Sequence, residues 1–87
     1  MDTEIKYQMV LIEWLDSRQP FTGWQFLEDM EIPNSCKCSS VGWLLEEDVD
    51  RVVIAAHLGD LNRNGQAMGV MVIPLCAIQK KTLLKVS

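Results

Sequence analysis

The sequence predicts a mainly-β fold, a small five-stranded open barrel with one short helix. Three observations carry that expectation. Apolar runs of strand length, rich in β-branched and aromatic residues, recur along the chain and are separated by turn-forming clusters. Only one segment carries helix-start chemistry. At 87 residues the chain has room for a single domain, 1–87, and no internal repeat or low-complexity tract divides it. Small twisted sheets of this kind tend to close or nearly close, because closure removes unpaired strand edges.

The first strand spans residues 7–16, without Gly or Pro. Val10, Ile12 and Trp14 share one face, and Met9, Leu11, Glu13 and Leu15 share the other. Apolar residues on both faces fit a barrel strand or one that pairs across subunits. Residues 17–23 form a loop around Pro20. Thr22-Gly23-Trp24-Gln25 has the T-x-x-Q spacing of a capping box and predicts a short helix over 23–30, ended by Ile32-Pro33-Asn34. Trp24, Leu27 and Met30 would lay one side of it on the core. A helix so short depends on docking against the sheet.

The clearest local signal is a hairpin. Its first arm, 37–46, carries Val41, Trp43 and Leu45, the acidic turn 47–50 reverses the chain, and 51–58 runs back. Gly42 inside the first arm marks a bend. Residues 59–66 are a turn-forming loop of Gly, Asn and Asp. The wholly apolar strand 68–73 is expected to be buried on both sides or at an interface. Pro74 interrupts pairing and opens a tight corner, 75–77, before the last strand, 78–86.

The net charge is −4, from 12 acidic and 8 basic side chains, and it is unevenly spread. Every carboxylate side chain lies in residues 1–60, whereas 61–87 hold Arg63, Lys80, Lys81 and Lys85. Such asymmetry creates an anion-attracting face or places complementary surfaces on neighbouring subunits. Overall acidity argues against tight nonspecific duplex binding, which needs many phosphate contacts. The longest apolar stretch, 68–78, is too short to span a membrane and contains Pro74. Met1-Asp2-Thr3-Glu4 lacks the basic and apolar regions of a secretory signal, so the expectation is a soluble, cytoplasmic protein with no membrane partner.

Three cysteines without a secretory signal do not make a disulfide framework. Cys36 and Cys38 point to one face of an extended chain, and with Cys76 and His57 they would make a Cys3His set, but without the knuckle spacing of structural zinc sites. The acids Glu46, Glu47, Asp48 and Asp50 lack the oxygen-rich loop of a calcium site. No metal or other cofactor is expected. The single histidine has no Ser or Cys at motif spacing to activate, and Cys76 has no basic neighbour in sequence to lower its pKa, so the chain is not expected to be an enzyme. Binding is left. Asn62, Arg63 and Asn64 with Lys80, Lys81 and Lys85 are the candidate anionic-ligand surface, although a solvated loop accounts for each residue taken singly. The three tryptophans fill a small core, or stack on a base or a peptide proline if one sits at a rim.

Residues 40–54, Ser-Val-Gly-Trp-Leu-Leu-Glu-Glu-Asp-Val-Asp-Arg-Val-Val-Ile, are similar to the central hairpin of Sm-like domains, where a strand bent at Gly precedes an acidic turn. Ile73-Pro74-Leu75-Cys76-Ala77-Ile78 sits where that fold makes its corner between the last two strands. With the V-x-I-E-W-x-D start at Val10 and the Gly23-Trp24 pair, most of the chain resembles a group of small bacteriophage-encoded Sm-like (LSm-like) β-barrel proteins. The resemblance implies an SH3/Sm-like open barrel, self-association into a homo-oligomeric ring by pairing of the last two strands, and a place in the cytoplasm of an infected bacterial host cell. RNA-binding Sm proteins carry an Asn-bearing loop after the central hairpin and an Arg-Gly pair at the last corner. Here Asp50-Arg51 and Pro74-Leu75-Cys76-Ala77 stand there, so their uridine pocket does not carry over. The expectation is a non-enzymatic binding protein that captures a nucleotide or single-stranded nucleic acid, in host takeover or anti-defence. The alternative is an adaptor or inhibitor of a host protein, using the acidic turn and an exposed Trp.

Overall fold

The computed structural model describes residues 7–85; Met1–Glu4, read above for a leader, and Val86, at the end of the predicted last strand, lie outside the described residues. Five antiparallel strands form one open sheet: β1 (Met9–Asp16), β2 (Cys36–Glu47), β3 (Arg51–Gly59), β4 (Gln66–Pro74) and β5 (Ile78–Leu84). Their spatial order is β4-β3-β2-β1-β5, which makes β4 and β5 the two edges. The mainly-β expectation and the positions of all five strands agree with this arrangement.

The sheet is curled. Val10 and Ile12 of β1, Val52 and Ile54 of β3 and Ile73 of β4 form one buried cluster, with Trp14, Leu44, Ala77 and Ile78 packed against it. Ile73 and Ile78 thus meet the same core although they belong to opposite edges. Register slips by one residue between Leu44 and Glu46 of β2 and between Glu13 and Trp14 of β1, and such bulges increase local twist. Gly42 permits the close crossing of β3: a Cβ there would lie 2.9 Å from the Ala55 carbonyl oxygen and 3.1 Å from the Ile54 Cβ. Trp14 spends its polar end within the sheet, its Nε1–H donating to Ser40 Oγ at 3.0 Å. A half-buried indole is stabilised by such a partner.

Two expectations are corrected. No helix forms over 23–30; residues 17–35 are irregular apart from one turn in which the Phe26 carbonyl accepts from the backbone N–H groups of Asp29 (3.0 Å) and Met30 (3.2 Å). The segment finds no sheet surface to dock on, and Trp24 is fully exposed rather than part of the core. The short helix of the fold is instead one 3-10 turn, η1 (Leu75–Ala77), at the corner after Pro74. The second correction concerns β4, which is not buried on both sides within the chain. Ile73 alone of its residues is buried, while Met68, Val70, Met71 and Val72 are exposed.

Candidate functional site

The site begins where β3 and β4 run past the rest of the sheet. β3 pairs with β2 only from Val52 to Ala55, but with β4 as far as Gly59, which lies opposite Gln66. Gly69 has φ +71°, and a Cβ there would come within 2.9 Å of the Ala56 Cβ, so glycine lets the two strands stay paired at this point. Asp60, at φ 51°, starts the reversal, and its carbonyl accepts from the Arg63 N–H at 3.1 Å. Asn62, Arg63 and Asn64 therefore stand on an exposed tip.

At the foot of that tip lies a shallow concavity of about 290 Å³, lined by Tyr7, Leu45, Leu58, Leu61, Gly65, Gln66 and Ala67. Leu61 and Gly65 immediately flank the three predicted donors. Most of the lining is apolar, and Tyr7 and Gln66 are its residues with polar side-chain groups. Sequence reasoning missed this floor. Its leucines come from a bulge, a strand end and a loop, and no single periodicity joins them.

The structure separates the three lysines. Lys85 follows Leu84, whose partner Met9 lies two residues after Tyr7, so Lys85 leaves the sheet at the Tyr7 end. Lys80 lies opposite Glu13, farther along the β1–β5 ladder. The Lys81 ammonium donates to Glu47 Oε2 in an ion pair. Thus Asn62, Arg63 and Asn64 lie in the loop between two residues that line the concavity, Lys85 leaves the sheet at the Tyr7 end, and Lys80 and Lys81 have acidic neighbours of their own.

The other chemistry-bearing groups lie elsewhere. In the acidic turn Arg51 pairs with both Glu46 and Asp48. A hydrogen bond from the Asp50 N–H, at 2.8 Å, holds the Asp48 carboxyl below its ordinary pKa, helped by the N–H and charge of Arg51. The neighbouring Leu75 N–H donates to the Asp50 carbonyl at 2.8 Å, tying the η1 corner to this turn. Cys36 and Cys38 do share a face, with their sulfurs 3.9 Å apart. Partial desolvation and the hydrogen bond with Cys36 push the Cys38 thiol up. His57 lies on the outer half of β3 and Cys76 in η1, and among the described residues no group of three or more His, Cys, Asp or Glu is placed to hold a metal ion. No helix among the described residues is long and apolar enough to cross a membrane. No family model, curated protein or solved structure matches this chain.

Proposed function

We propose that this chain is a non-enzymatic, SH3/Sm-like binding subunit that takes a small anionic ligand of nucleotide type at the concavity beneath the β3–β4 tip. The observation carrying this reading is an apolar floor (Leu58, Leu61, Ala67) whose lining residues Leu61 and Gly65 immediately flank Asn62, Arg63 and Asn64 in the exposed loop. A planar base fits the floor and a phosphate fits Arg63: guanidinium forks match phosphate oxygens, and apolar floors with a few polar groups are the usual make-up of small-ligand sites. The Tyr7 ring offers a stacking face. The curled five-stranded sheet and its corner at Pro74 support the SH3/Sm-like reading. The two open edges, β4 and β5, support self-association into a homo-oligomer, with the resemblance to phage-encoded proteins pointing to a role in an infected bacterial cell.

The test is a titration of purified protein with a nucleoside monophosphate and with a short single-stranded oligonucleotide at low salt, alongside native mass spectrometry for co-purified species. Saturable binding is expected, weakened at least tenfold by Arg63→Ala and by Tyr7→Ala and left unchanged by Lys81→Ala. Absence of saturable binding to either probe overturns the reading. An adaptor for a host protein is the second reading, favoured by the fully exposed Trp24. The acidic turn adds little to it, since Arg51 and Lys81 already engage Glu46, Asp48 and Glu47.

A further inference from the structure

Cys36 and Cys38 stand two residues apart in the sequence, and the fold decides what that spacing can do. They occupy the first rungs of β2, opposite Asp16 and Trp14 of β1. Alternate side chains of a strand share a face. Both thiols are half-buried there, while Lys37 between them is exposed. Their sulfurs lean together to 3.9 Å. His57 and Cys76 do not join them: Cys76 is exposed in η1, and among the described residues no three His, Cys, Asp or Glu groups are placed to hold an ion. The pair is a two-sulfur site, at the opposite end of the β1–β2 ladder from Tyr7 and Leu45.

Two thiols can be joined directly or through an ion, and the two need different separations. A disulfide needs its sulfurs about 2.05 Å apart and its Cβ atoms about 3.5–4.5 Å apart. Alternate residues of a strand are separated by about 6.6 Å of rise, so that bond cannot close while residues 36–38 stay extended in the ladder. Two metal–sulfur bonds of about 2.3 Å each reach as far as about 4.6 Å between the sulfurs. At 3.9 Å one ion fits between Cys36 and Cys38 with the backbone left in place.

The number and kind of ligands select the ion. Structural zinc takes four ligands and catalytic zinc three from the protein, whereas calcium and magnesium take oxygen. The lack of zinc-knuckle spacing therefore argues against zinc, but not against an ion satisfied by two sulfurs. Soft closed-shell monovalent ions are of that kind, and thiolates select Cu(I) among them. We infer that Cys36 and Cys38 form a two-coordinate site for a soft monovalent metal ion of the Cu(I) type. On binding, each thiol gives its proton to solvent, two sulfur–metal bonds form, and no electron is transferred. Arg18 and Asp16 both lie near enough to act on Cys38, with opposite signs, so their charges offset each other beside the complex. Trp14, directly across from Cys38, supplies a fluorescent reporter. The inference is independent of whether the concavity takes a nucleotide.

Titration of the reduced full-length chain, without oxygen, against Cu(I) held by the coloured chelator bathocuproine disulfonate tests it. The unaltered chain is expected to withdraw one ion per chain, with new thiolate-to-metal absorption in the ultraviolet and quenched tryptophan emission. Cys36→Ser and Cys38→Ser should each weaken uptake at least tenfold with unchanged β-type circular dichroism, and Cys76→Ser should leave it as it was. Zn(II) should bind at least tenfold more weakly than Cu(I). The inference is overturned if no Cu(I) is withdrawn, if uptake survives Cys36→Ser or is lost with Cys76→Ser, or if one ion is shared by two chains. Zn(II) held as tightly as Cu(I) also overturns it. So does ready closure of a Cys36–Cys38 disulfide under mild oxidation, because the strand would then not be holding the sulfurs apart. Arg63→Ala is expected to leave Cu(I) uptake unchanged. Loss of the nucleotide reading with normal uptake would therefore leave this inference standing, and the reverse result would leave only the ligand site.

Discussion

The two ends of the β3–β4 hairpin are built from the same pair of strands and differ in almost everything else. At the root, Val52 lies opposite Ile73, both in the core, and Arg51 reaches Glu46 and Asp48. There the Leu75 N–H also joins the corner to the Asp50 carbonyl. At the tip, Gly59 lies opposite Gln66, β2 is no longer a neighbour, and residues 59–70 are all exposed. The root has three strands and a turn to hold it, while the tip has one ladder. Stability is therefore concentrated where the sheet curls, and the tip is free to carry recognition groups at little cost to the fold.

Substitutions graded along this axis should separate the two roles. The largest effect is expected at the root core. Ile73→Ala or Ile12→Ala should cost about 2–5 kcal/mol, read from denaturant midpoints, because the core has few other buried side chains to take up the void. A cost below 1 kcal/mol would show that the core is not where the fold is held. Gly42→Ala comes next, at about 1–3 kcal/mol, since the new methyl would press on the Ala55 carbonyl and Ile54.

A smaller, pH-dependent effect belongs to Asp48. Its folded-state pKa lies below the ordinary carboxylate value, so the stabilisation is fully present above the unfolded pKa of ~3.9 and is lost as pH falls through the folded value. Unfolding midpoints measured from pH 6 down to pH 2 should fall less steeply for Asp48→Asn than for the unaltered chain. Parallel profiles would remove the turn from the account. The smallest change is expected at the tip, where Arg63→Ala should move stability by less than about 0.5 kcal/mol.

The same contrast explains what could be read from the sequence. The hairpin of β2 and β3 is legible in the sequence because the acidic turn separates two apolar arms. The Pro74 corner was legible because proline cannot continue a ladder. The T-x-x-Q spacing at Thr22 misled, since a capping box satisfies only terminal donors while a helix that short needs a docking surface, and the chain offers residues 23–30 none. The apolar run marks the place of β4, but not which of its two expected covers, the chain's own core or an interface, applies. Composition reports that a strand wants covering, and says nothing about which molecule supplies the cover. At the site, Asn62, Arg63 and Asn64 stood out as a local cluster. The floor from Tyr7 and Leu45 did not, because long-range pairing brings it there.

The position of β1 has a consequence for how the protein is made. Met9 pairs with Trp43 on one side and with Leu84 on the other, so among the described strands the earliest is completed by the latest. A growing chain can form the β1–β2 ladder early, but the far side of β1 keeps its backbone groups unpaired until β5 has been translated. Distant pairings of this kind slow folding. During that interval a nascent chain presents an open strand to any neighbour emerging from the same message, and chains stopped before residue 78 would lack the segment that closes it.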